Sequence, residues 1–91
     1  MIIAAASIRL RMLHPGGLKG RRKVLHSLSR RIRTRNISVI DVSGEYAMEG
    51  ELFAVAAVHS EAQGRELAQN LERLLAQHAS EYEYELNWEL Q

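Results

Sequence analysis

Eight of the chain's twelve lysines and arginines fall between residues 19 and 35, with no acid among them: Lys19, Arg21, Arg22, Lys23, Arg30, Arg31, Arg33 and Arg35. Cations this dense can track a polyanion, because each phosphate they neutralise releases condensed counterion. The competing reading is a solvated face that keeps the protein soluble. Charge is also segregated along the whole chain. Residues 1–40 hold ten Lys and Arg and no acid, a formal +10, while residues 41–91 hold two Arg against eleven acids, a formal −9. Their sum of +1 conceals this. Such asymmetry marks either a polyanion-binding half or two halves that pair across the fold.

Other chemistry is sparse. His14, His26, His59 and His78 have no metal-ligand spacing, so no metal site is expected. The serines lack a nucleophile-elbow context. With no cysteine there is no disulfide framework, thiolate site or cysteine nucleophile, as expected in a reducing compartment. Pro15-Gly16-Gly17-Leu18-Lys19-Gly20 is a glycine-rich turn before a helix. Its amides, with Lys19 and Arg22, can hold one phosphate, although an ordinary tight turn is the more usual explanation. It lacks the Gly-Lys-Ser/Thr of a P-loop. Neither catalysis nor a cofactor is expected.

The elements that place these residues follow from periodicity. Ala4, Ala6, Ile8, Leu10 and Met12 alternate with Ala5, Ser7, Arg9 and Arg11, the pattern of a half-buried strand. His14-Pro15-Gly16-Gly17 ends it. From Leu18 to about Arg33 the period becomes helical, with Leu18, Val24, Leu25, Leu28 and Ile32 on one side. Gly20 costs that helix about 1 kcal/mol if interior. Asn36 serves as the exit, Ile37–Val42 reads as a strand, and Ser43–Gly50 as a hairpin connection.

Leu52–Val58 is apolar on both faces, the mark of a central strand. Ser60 and Gln63 form a capping box for a helix running to about Ala79. Tyr82, Tyr84, Leu86, Trp88 and Leu90 then alternate with glutamates in a last strand. The order is βαββαβ. It predicts one α+β domain over residues 1–91, a ferredoxin-like fold with two helices packed on one face of a four-stranded antiparallel sheet. The longest apolar runs are far short of the roughly 20 residues that span a bilayer. No secretory leader is legible, so a cytoplasmic protein without membrane contact is expected.

Gly17-Leu18-Lys19-Gly20-Arg21-Arg22-Lys23-Val24-Leu25, followed by Asn36-Ile37-Ser38-Val39, resembles the YlxP-like family of small bacterial proteins. The resemblance covers nearly the whole chain. It departs at Gly17, where the family often has a capping serine, and at Gly20, where it often has glutamate. The family's Asp-x-Trp-like stretch before the third strand is also missing around Glu45–Glu51. The resemblance implies a ferredoxin-like fold and a connection to RNA or the ribosome, since the gene commonly lies among translation genes. It transfers no catalytic residue.

At about 100° per residue, Lys19, Arg22, Lys23, His26, Arg30 and Arg33 share one sector of the first helix, while Arg21 can snorkel. Lys19, Arg21, Arg22, Lys23, Arg30 and Arg33 are therefore the expected nucleic-acid contacts, with structured RNA or the ribosome as partner. Arg9 and Arg11 should instead pair with Glu81, Glu83, Glu85 and Glu89 of the neighbouring last strand. Base stacking on the sheet, as in RNA-recognition motifs, is not expected, because the first and third strands offer at most Phe53. The second open face of the third strand needs cover, which predicts homodimerisation or protein docking through Phe53 and Val55.

Overall fold

The computed structural model describes residues 1–13 and 16–91; the His14–Pro15 part of the expected turn lies outside the described residues. Six elements follow one another: β1 (Ile2–Met12), α1 (Gly17–Arg33), β2 (Ser38–Asp41), β3 (Glu49–Val58), α2 (Glu61–Gln77) and β4 (Tyr82–Leu90). The strands lie in the order β2-β3-β1-β4, every neighbouring pair antiparallel. This is the expected ferredoxin-like arrangement. α1 packs mainly over β2 and β3, and α2 mainly over β1 and β4.

Period-two alternation decides which side chains meet the helices. Ile8, Leu10 and Met12 of β1, Leu52 and Ala54 of β3, Val39 of β2 and Tyr82 of β4 join Leu25, Leu28 and Ile32 of α1 and Leu71, Leu74 and Leu75 of α2 in one core. Fully burying a side chain of this kind contributes about 1.5–3 kcal/mol. Gly50 sets the depth of the α1 contact, since a Cβ there would stand 3.0 Å from both methyl carbons of Leu25. The Tyr82 hydroxyl is buried with the core and donates to the Leu75 carbonyl at 2.8 Å. Burial, reinforced by Glu81 and Tyr84 and opposed by Arg31, pushes its pKa up to about 12.

Local signals place the boundaries. Asn36 takes a φ of 59°, which closes α1 as expected, and Gly17 a φ of 70° that glycine adopts without steric penalty. Ser60 Oγ accepts from the Gln63 amide at 3.1 Å. Gln63 Oε1 accepts from the His59 amide at 2.6 Å, one residue earlier than a capping box requires. β3 begins at Glu49, three residues before the expected start. Glu49 and Glu51 lie in register with Arg11 and Arg9 of β1, so opposite charges across the ladder carry the strand through polar sequence.

Candidate nucleic-acid interface

α1 spans seventeen residues, about 25 Å at 1.5 Å per residue. Leu25, Leu28, Ser29 and Ile32 occupy its buried side. Lys19, Arg22, Lys23, His26, Arg30 and Arg33 are all exposed, in one sector that flanks the buried side. Among the described residues no carboxylate oxygen comes within 4.0 Å of any α1 cation; the two ion pairs are Arg9–Glu51 and Arg65–Glu61.

Helix electrostatics sorts these cations into two groups. Arg30, Arg31 and Arg33 sit in the last turn, where positive charge complements the macrodipole by about 0.3–1 kcal/mol each. Lys19 sits in the first turn, where the same dipole opposes it, and Arg22 and Lys23 follow in the second turn, where the dipole gives them no support. That first turn holds no acid, and the N-cap, Gly16, offers no side-chain oxygen. Free amides and cations therefore point the same sign of potential outward. Helix stability does not account for the first group.

Arg21 has a different task from its neighbours. Its Nη1 donates to the carbonyls of Gly44, Tyr46 and Glu49 at 2.8, 2.9 and 3.0 Å. The guanidinium thus ties the start of α1 to the β2–β3 loop. Its Nη1 is thereby engaged within the protein and its Nε is buried without a partner, which sets Arg21 apart from the other expected nucleic-acid contacts. Arg33 is partly engaged, Nη2 donating to the Val39 carbonyl at 3.3 Å. On the other flank Arg31 abuts His78 of α2, 3.0 Å from Nδ1 and closer still to Nε2.

The open sheet face divides into two parts. Arg9 lies in register between Glu51 and Glu85, and Arg11 between Glu49 and Glu83. The expectation that both pair with β4 is corrected in one respect. The close partner of Arg9 is Glu51 of β3, at 3.3 Å, because β3 extends further than its apolar run. Glu81 precedes β4 and has no place in that ladder. Beyond the charges lies an apolar patch in which Phe53 is 42% and Ile40 58% exposed, with half-buried Val55 beside them. Phe53 faces Ser7 of β1 and Ile40 of β2 in register, so the central strands present one aromatic on this side. Trp88 faces Ala6 on the helix-covered side. No group of three or more potential metal ligands occurs among the described residues. No described helix is long and apolar enough to cross a membrane.

Comparisons with known proteins give the fold and a family. A de novo designed protein with a ferredoxin fold matches with a TM-score of 0.61 at 7% identity, over 100% of this chain and 86% of that one. SnoaB, a cofactor-independent oxygenase from Streptomyces nogalater, matches at 0.56 and 13% identity, over 94% of this chain and 90% of its own. A VAO-type flavoprotein from Myceliophthora thermophila matches at 0.61 and 11% identity, over 99% of this chain but 18% of its own. At such identities the likeness is one of fold alone. No curated protein matches the chain. The family model described as "Protein of unknown function (DUF503)" matches residues 3–87, and the chain belongs to that family.

Proposed function

We propose that the protein is a non-enzymatic cytoplasmic module, without cofactor, that binds structured RNA or the ribosome through the outer face of α1. Lys19, Arg22, Lys23, Arg30 and Arg33 contact phosphates, and Arg21 holds the helix start against the β2–β3 loop. The observation that carries this reading is the start of α1, where Lys19 opposes the helix dipole and Arg22 and Lys23 follow it, with no acid in the first turn. A charge placed against local stability is explained by a ligand that supplies the missing anion. The YlxP-like resemblance, with its translation-gene setting, supports the same reading. Recognition is by phosphate and shape along the helix, since the sheet lacks a pair of stacking aromatics.

Fluorescence anisotropy with structured ribosomal RNA fragments at several salt concentrations tests it. Micromolar binding should weaken with a log–log slope of about −0.7 to −0.9 per phosphate neutralised. Charge reversal at Lys19, Arg22 and Lys23 should abolish binding while circular dichroism stays unchanged. Equal affinity for the wild type and the triple variant would sink the proposal.

A second reading rests on the sheet patch. Exposed Phe53 and Ile40 beside Val55 suit a homodimer or a docked protein. Sedimentation of a monomer at all concentrations would remove the homodimer form.

A further inference from the structure

A groove of about 600 Å³ opens between the C-terminal ends of α1 and α2. We propose that it is a seat for a phosphate ester, held by Arg30, Arg31 and Arg35 with His78 at the end of α2. Leu74 closes it below, and no carboxylate lines it. The proposal goes beyond the outer face of α1, since Arg31 and Arg35 lie outside that stripe.

Helix capping uses little of this charge. Arg35 Nη1 donates to the Arg31 carbonyl at 2.7 Å, and Thr34 Oγ1 donates to that same oxygen at 2.7 Å. A guanidinium carries five donors, so most of those on Arg35 remain for a ligand. Arg31 Nη1 meets the imidazole of His78, 3.0 Å from Nδ1, so the two side chains share one edge of the groove. An anion seated in the groove meets guanidinium donors from the end of α1 and a ring nitrogen at the end of α2. The concave site gathers three cations of the α1 side and holds them together more closely than a convex helix face does. Paired guanidinium forks match the oxygens of a phosphate. The ester can be a backbone phosphodiester or the monoester of a nucleotide-sized molecule; both present the same tetrahedral oxyanion.

NMR titration of the ¹⁵N-labelled protein separates these cases. The probes are uridine 5′-monophosphate, a tetrauridylate lacking terminal phosphates, and uridine. At least one phosphate probe should shift the amides of residues 27–35 and 74–78, with uridine silent. Response to the monophosphate alone identifies a monoester seat, and response to the tetrauridylate a backbone seat. Arg31→Gln combined with Arg35→Gln should weaken binding on the order of tenfold or more, the worth of one charge-assisted hydrogen bond. His78→Gln, which leaves α1 untouched, should weaken it by a smaller factor. Lys19→Glu with Arg22→Glu should leave these shifts in place even if RNA affinity falls, which keeps the two proposals distinguishable. Silence of both phosphate probes at these amides would overturn the seat. So would equal shifts with uridine, or unchanged affinity in the Arg31, Arg35 and His78 variants.

Discussion

Arg9 and Arg11 on the open face of the sheet each stand in register between two glutamates, one on β3 and one on β4. Among the described residues the cations of α1 have no carboxylate within ion-pair distance. Both groups come from the acid-free first forty residues, so local sequence does not separate them. Topology does. A strand in the middle of an antiparallel sheet inherits neighbours from distant segments, and here those segments carry the acids. A helix on the outside of the sheet inherits neighbours only on its buried flank. Positive charge on the sheet therefore stands opposite acids, with Arg9 in a close pair with Glu51, and on the helix it is left available.

Variants can break this contrast. The largest expected effect is on nucleic-acid affinity. Reversing Lys19, Arg22 and Lys23 should weaken RNA binding on the order of 100-fold or more, whereas reversing Arg9 and Arg11 should leave it within a few-fold. Equal losses from the two sets would show that net charge, and not its placement, governs binding.

Arg21 sharpens the contrast from inside the helix. Arg21→Met should lower unfolding free energy by about 1–3 kcal/mol through loss of its loop hydrogen bonds, with RNA affinity nearly unchanged. Chemical denaturation and anisotropy on one preparation check both halves. Lysine should restore it only in part, because an ammonium lacks the planar fork.

High pH probes the helix-covered side of the sheet, where neither set of arginines lies. The Tyr82 pKa stands at about 12 against the ordinary value of 10. Above pH 10 the unfolded chain releases this proton first, so stability that is complete below pH 10 declines as pH rises towards 12. Tyr82→Phe should cost about 1 kcal/mol at neutral pH and flatten that decline in pH-dependent urea denaturation. Tyr84, raised chiefly by its hydrogen bond to Glu72, supplies part of what remains. The smallest effect belongs to Arg9→Ala, which should cost less than about 1 kcal/mol and fade in salt.

The alternation of Ala4 to Met12 and of Tyr82 to Leu90, with the helical period of Leu25, Leu28 and Ile32, was enough to read the element order and the face each element buries. Neighbours distant in the chain were harder. Apolar pattern begins β3 at Leu52, whereas cross-strand charge begins it at Glu49. The ion pair from Arg9 to Glu51 follows from register, which periodicity alone does not supply. In the sequence Arg21 is one of eight cations between residues 19 and 35. What distinguishes it is a set of backbone carbonyls at Gly44, Tyr46 and Glu49, and carbonyls leave no trace in side-chain pattern. The contact of Arg31 with His78 in the groove joins residues 47 apart, and only the placing of α1 and α2 on one face of the sheet brings them together.

The bond from Arg33 to the Val39 carbonyl bears on how the protein behaves among copies of itself. β2 is an edge strand of four residues, and a bare edge is a template on which another chain's strand can extend the sheet. A guanidinium seated on that strand fills one acceptor and holds positive charge where a neighbouring edge, equally guarded, would approach. The helix that faces outward for a ligand thus also discourages edge-to-edge growth.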